Sequence, residues 1–224
     1  EVGSGDPVAD FADIEEELNM WYQKILEGNR DKLKKIAESD NDPVNALTEL
    51  YQGLGVKKNH VKEALNITKL EEKDIENYDI HDSKKFSAEL RRISKPTLIV
   101  ANKIDVKGAG KNVQRLRERY NDMIVVPASA DSELSLRRAE QKELIKYSPG
   151  SEQFDILKAN ELNQKQIDAL DFIKSDIMGE FMHTGVQFAI NVTVFKLLKM
   201  NSIYPVAIPE KLSDKNGRVL PDLI

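Results

Sequence analysis

Two short polar clusters stand out for what their side chains could do. Asn102-Lys103-Ile104-Asp105 ends the stretch KPTLIVANKID, and Ala128-Ser129-Ala130 ends MIVVPASA. Each follows a brief apolar run of the kind expected for a strand covered on both faces. An Asp carboxylate presents two acceptor oxygens and no donor. It matches a ligand edge with two adjacent N–H donors, such as N1 and the exocyclic amine of guanine. Charge-assisted bidentate pairs are stronger than neutral ones. Adenine lacks that edge and would leave the carboxylate unpaired. Ligands of parallel α/β sheets sit at the carboxyl ends of the strands, so two such clusters on one edge can converge on one ligand.

The elements that must place these clusters follow from periodicity. Thr97 to Ala101 reads as a strand, followed by a charged helix with Val113, Leu116 and Tyr120 on its inner face. A second strand ends at Pro127, and a helix is expected from about Ser132 to Ile145. Strand, helix, strand, helix at this spacing predicts a parallel α/β unit. The preceding segment is almost all helical. A helix is expected from about Asp10, with Phe11, Ile14, Leu18, Trp21 and Ile25 on one buried face and Gly28 as its stop. A charged helix over Arg30–Glu38 comes next, then one with Asp42 as cap and Pro43 in its first turn, running through Val44, Leu47 and Tyr51 to Gly55. Asn59 and Ser83 are candidate caps of two more. After YSPGSEQ, helices are expected over Asn163–Ile177 and Gly185–Met200, the latter with Phe188, Val192, Phe195 and Leu198 or Met200 facing inward. Ile203–Ala207 reads as a strand and Asn216-Gly217 as a hairpin turn.

Composition narrows the function classes. The 224 residues carry a net charge of −5, so no global field draws the chain to nucleic acid or anionic membranes, and no DNA partner is expected. With no cysteine there is no disulfide, thiolate nucleophile or Cys-type zinc site, and a cytoplasmic setting is expected. No run reaches the ~20 apolar residues of a membrane span. His60, His81 and His183 are far apart and show no metal-ligand spacing, so no metal site is expected in this chain. Asp214-Lys215-Asn216-Gly217 lacks the closing Glu of a calcium loop.

Asn102-Lys103-Ile104-Asp105 resembles the Asn-Lys-x-Asp guanine-specificity motif of GTP-binding proteins, and Ser129-Ala130 resembles their second base-contacting loop. That resemblance implies that Asp105 reads the base edge and the Lys103 stem covers the ring. It further implies that Asn102 ties loops together and that the Ala130 N–H faces guanine O6. GDPVAD, the helical block, TGVQFAINVTVFKLLKMNSIYPV and EKLSDKNGRVLPD together resemble the archaeal branch of the Obg-like, YchF-type GTPases. Nearly the whole chain takes part in this likeness. It implies a connecting loop over 1–10, a helical insertion over 11–94, the C-terminal half of a G domain over 95–200 and the start of a β-grasp TGS domain from 201.

Departures from that pattern shape the expectation. No Gly-x-x-x-x-Gly-Lys-Ser/Thr occurs, and Gly108-Ala109-Gly110 is too short to replace it. The expected chain is therefore an α/β piece of a P-loop GTPase, with an all-α insertion and a truncated β-grasp-like tail. It supplies guanine recognition without phosphate contacts. GTP and GDP are the implied ligands. Mg²⁺ and GTP hydrolysis belong to an intact parent, and this chain alone is expected to be inactive. Relatives that depart from Asn-Lys-x-Asp accept ATP; Lys103 and Asp105 favour guanine. The resemblance also implies contact with the ribosome or RNA, for which RLRERY and LRRAEQKELIK are the candidates. A solvated helix face is their default reading. The alternative function is a non-enzymatic helical interaction module in which residues 11–94 dock a partner.

Overall fold

Asp6 and Pro7 start the first helix three residues earlier than periodicity suggests. The Asp6 carboxylate accepts from the Val8 N–H at 3.0 Å, and proline occupies the first helical position, where no N–H is needed. The loop expected over residues 1–10 is thus helical from Pro7. The computed structural model describes residues 5–40, 42–203, 209–211, 213, 216 and 218. The strand expected over Ile203–Ala207 and the Asn216-Gly217 turn fall largely outside them, as does the β-grasp-like tail.

Five helices come first: α1 (Pro7–Gly28), α2 (Arg30–Asp40), α3 (Pro43–Tyr51), α4 (Lys58–Thr68) and α5 (Ile80–Ser94). Asp42 caps α3 as expected, accepting from Val44 and Asn45, and Gly55 ends the following turn at φ 71°. Asn59 and Ser83 are not caps. Asn59 lies inside α4, while Asp79 caps α5 by accepting from Asp82 and Ser83 is buried, accepting from Arg30. The shared core holds Leu26, Leu47, Val61, Phe86 and Leu90.

The buried stripe of α1 differs from the expected one. Trp21 is 48% exposed, and Ile14 and Leu18 are also exposed, while the neighbours Tyr22 and Leu26 are buried. Tyr22 takes the inner place because its polar end finds partners. It stacks on Tyr51 at 5.4 Å, its hydroxyl lies 3.4 Å from that of Ser94, and the Tyr51 hydroxyl donates to its carbonyl at 2.8 Å. The first turns of α1 pack elsewhere. Phe11 meets the edge of Tyr120 at 4.8 Å, and the Tyr120 hydroxyl donates to the Val8 carbonyl. One helix therefore belongs to two cores.

The α/β part contains β1 (Ile99–Asn102), α6 (Ala109–Arg119), β2 (Val125–Ala128) and α7 (Ala130–Gln141). β1 and β2 pair in parallel with Ile99 opposite Val125 and Asn102 opposite Ala128. Val113, Leu116 and Tyr120 face inward as expected. β2 is buried throughout, but Val100 of β1 is 46% exposed, so only β2 fits the doubly covered reading. α7 starts at Ala130 rather than Ser132 and stops at Gln141. Ile145 instead enters β3 (Ile145–Lys146), which pairs antiparallel with β4 (Asp155–Ile156).

The last described helices are α8 (Gln164–Phe172), α9 (Gly179–Phe181) and α10 (Val186–Asn191). Both α8 and α10 continue into wider π-type turns, over Ile173–Met178 and Val192–Leu197. An i→i+5 pattern rotates a 3.6-residue stripe off its face. Hence Phe195, Leu198 and Met200 are exposed, against expectation; Phe188, ahead of the π-turn, is exposed as well, whereas Val192 is buried as expected and Ala189 is buried beside the expected stripe. α10 reaches β2 because Gly185 has no side chain. At φ 84°, a Cβ there would lie 2.0 Å from the Pro127 carbonyl oxygen. Among the described residues no helix is long and apolar enough to cross a membrane.

Two stability outcomes follow. Leu47→Ala should cost about 3 kcal/mol in urea unfolding, as for a fully buried leucine, whereas Trp21→Ala should cost roughly 1 kcal/mol or less. A reversed order would place Trp21 in the core after all. Gly185→Ala should cost roughly 3 kcal/mol in the same assay, from overpacking and a strained backbone together; a loss under about 1 kcal/mol would mean that α10 shifts freely on β2.

Candidate functional site

Because β1 and β2 are parallel and in register, the residues that follow them leave the sheet at the same edge. Asn102 sits beside Ala128 in the ladder. Lys103 then takes a left-handed backbone, φ 70°, a conformation that costs an ordinary residue roughly 1–2 kcal/mol. Ladder and packing contacts hold this turn. The Ile104 N–H donates to the Ala128 carbonyl at 3.2 Å, and its side chain is buried with Val113 and Ile177. With Ile104 as a peg, Asp105 is left half-buried at the strand edge.

The second cluster meets the first through two side chains. Ser129 caps α7, its Oγ accepting from the Ser132 N–H at 3.1 Å. The same hydroxyl donates to Asp105 Oδ1 at 2.6 Å. Asn102 Oδ1 accepts from the Ala130 N–H at 3.1 Å. All six residues singled out in the sequence, Asn102, Lys103, Asp105, Ala128, Ser129 and Ala130, thus lie at one sheet edge. One expected detail differs: the Ala130 N–H, expected to face a ligand oxygen, is bonded to Asn102. Asp105 Oδ2 makes no hydrogen bond among the described residues. A carboxylate held by one oxygen and open at the other can accept from a donor pair presented at that edge. Lys103 is exposed and makes no ion pair among the described residues.

Sequence reading missed the residues behind this edge. Glu133, one turn into α7, is only 4% exposed. Its carboxylate accepts from Thr184 Oγ1 at 2.5 Å, Tyr147 Oη at 2.7 Å and Arg137 Nε at 2.6 Å. Burial pushes its pKa up, but these three donors outweigh burial and hold it below the usual glutamate value. Burial and the Glu133 carboxylate push the Tyr147 phenol up to about 12. The Thr184 carbonyl accepts from the Ser129 N–H at 2.8 Å, joining this buried group to the edge. The only signal in the sequence was the Thr184-Gly185 pair, which reads as a helix start. A buried acid inside a charged helix carries no pattern of its own.

A cleft of about 460 Å³ runs along the outer side of β1, walled by Phe11, Ile14, Val100, Asn102, Lys103 and α6. Asn102 and Lys103 line it whereas Asp105, Ser129 and Ala130 do not, so the contact between the two clusters forms a ledge beside that cavity. Among the described residues no group of three or more His, Asp or Glu side chains is placed to hold a metal ion.

Residues 100–207 match the Obg-like GTPase YGR210-like, G4 motif-containing domain. A protein of Methanocaldococcus jannaschii named as a GTP-binding protein is 39% identical over 217 residues, covering 97% of this chain and 54% of its own length. Another named GTP-binding protein, from Schizosaccharomyces pombe, is 30% identical over 156 residues, covering 68% of this chain and 37% of its own length. The chain thus spans about half or less of the curated relatives it matches. The crystal structure of a GTP-binding protein from Pyrococcus horikoshii superposes with a TM-score of 0.73 at 34% identity, over 97% of this chain and 56% of that one. Residues 100–207 are thus similar to that G4 motif-containing domain, and nearly the whole chain is similar to part of proteins named as GTP-binding.

Proposed function

We propose that this chain carries the guanine-reading part of an Obg-like GTP-binding protein. The observation that carries the reading is the Asp105 carboxylate on a parallel-sheet edge, tied at Oδ1 to Ser129 and, among the described residues, without a hydrogen bond at Oδ2. The roles are assigned residue by residue. Asp105 accepts from N1 and the exocyclic amine of guanine. The aliphatic stem of Lys103 covers the base. Asn102 braces the Ala130 loop, and Ala128 and Ser129 set its height. The Ala130 N–H turns from Asn102 to the base oxygen when nucleotide binds.

GTP and GDP are the ligands of this reading. The chain holds no Gly-x-x-x-x-Gly-Lys-Ser/Thr, so the backbone cradle that neutralises phosphates is missing from it. It therefore binds nucleotide weakly, and hydrolysis with Mg²⁺ belongs to an intact parent. In its finer form the proposal places that parent in the archaeal YchF-type branch. It gives the parent a helical insertion over 11–94 and a TGS domain beginning near 201. It also gives the parent a cytoplasmic role at the ribosome or on RNA. A second reading, a helical interaction module, draws on the exposed apolar residues Ile14, Leu18 and Trp21 of α1.

The test is a titration of the ¹⁵N-labelled chain with millimolar GDP, followed through the amides of Asp105, Ser129 and Ala130. Asp105→Asn should weaken the GDP response about tenfold or more, the value of a charge-assisted hydrogen bond, and should gain a response to xanthosine diphosphate, whose 2-oxo group needs a donor. Identical GDP responses from the wild type and Asp105→Asn would remove Asp105 from the site and leave the interaction-module reading.

A further inference from the structure

Ser129 is held from two sides. Its hydroxyl is fixed on Asp105, and its backbone N–H donates to the carbonyl of Thr184, 55 residues further along the chain. Thr184 is fully buried and is itself held, through Oγ1, by the Glu133 carboxylate. Glu133 returns to Ser129 by donating its own N–H to the Ser129 carbonyl at 3.1 Å. The three residues form a closed ring of hydrogen bonds: Ser129 N–H to Thr184, Thr184 hydroxyl to Glu133, Glu133 N–H to Ser129. The ring joins the start of α7 to the turn before α10.

A buried charge replaced by a packed apolar group is often neutral or stabilising, and what a fully paired one can add is a defined arrangement. Here the carboxylate gathers donors from three separate segments: Arg137 in α7, Tyr147 after β3 and Thr184 before α10. Gly185 then seats that last segment on the end of β2, where any side chain would meet the Pro127 carbonyl. Neither Glu133 nor Thr184 reaches the ledge. Both act on it through the Ser129 backbone.

We infer that Glu133 and Thr184 are positioning residues for the guanine-reading ledge, and that they set its selectivity by holding Ser129 at the height where its hydroxyl orients Asp105. This rests on the guanine reading proposed above. A ring intact in the free protein means that Asp105 meets the base already oriented, so selectivity is present before binding. With the ring broken, the Ser129 loop samples several heights, and the carboxylate no longer distinguishes a base with an exocyclic amine from one without.

The experiment uses the whole chain with GDP and IDP as probes, inosine lacking the exocyclic amine. Thr184→Val keeps the shape and removes the donor; Thr184→Ser keeps the donor; Glu133→Gln removes the charge. Two readouts are followed: the GDP-over-IDP preference, and amide hydrogen exchange at Ser129 beside Val126 in β2. Thr184→Val and Glu133→Gln should lose the preference and speed Ser129 exchange at least tenfold while Val126 stays within twofold. Thr184→Ser should restore both. Wild-type preference in Thr184→Val and Glu133→Gln overturns the inference while leaving the guanine reading in place. If Val126 exchange rises as much as that of Ser129, the role is general stability and the inference also fails. No preference in the wild type, with Asp105→Asn unchanged from it, overturns the guanine reading and this inference with it.

Discussion

A single hydrogen bond, from the Ser129 hydroxyl to Asp105 Oδ1, is the constraint on which the rest of the site depends. It joins a turn that leaves β1 to a helix that starts after β2, and it uses one carboxylate oxygen while the other has no hydrogen bond among the described residues. Such a bond needs both loops at fixed heights. The parallel register supplies this, since Asn102 and Ala128 are neighbours in the ladder and Ile104 adds one more ladder bond beyond it. The strained Lys103 backbone is the local consequence of turning the chain within one residue while keeping Ile104 buried and Asp105 out.

Parallel two-stranded sheets are weak by themselves, and most of the protein works to hold this one. α6 covers it with Val113 and Leu116, and the turn before α10 closes on β2 at Gly185. The amino-terminal turns of α1 pack on Tyr120, while the remainder of α1 joins the helical core through Tyr22 and Leu26. A rigid helix shared by two cores couples them mechanically. The edge of β1 away from β2 borders the apolar cleft that Phe11 and Ile14 line, so the same helix also walls the exposed side of the sheet.

How much of this was legible in the sequence depended on whether the signal was local. Some caps and turns that act within four residues were readable, as Asp42, Pro43 and Gly55 show, whereas Asp79 rather than Ser83 caps α5. The two strands and the clusters at their ends were readable because short β-branched apolar runs between turn signals favour strands, although the expected burial on both faces held for β2 and not for β1. The inner face of α1 was not, because Tyr22 became a core residue only through Tyr51 and Ser94, which lie far away in sequence. Beyond α10 the stripe failed at Phe195 because the π-turn over Val192–Leu197 changes the period on which the reading relies, while Val192 at its start is buried as expected. Glu133 was invisible for a similar reason: its partners Tyr147 and Thr184 come from distant segments, and in sequence it is one acid among many on a charged helix.

Everything proposed about function turns on what meets the open oxygen of Asp105. The most direct measurement is a crystal structure of the chain grown with millimolar GDP. The account predicts the base lying on the ledge, with N1 and the exocyclic nitrogen each within about 2.7–2.9 Å of an Asp105 oxygen, the range of charge-assisted bonds. A base bound elsewhere, or turned so that its amine points away from Asp105, would contradict it.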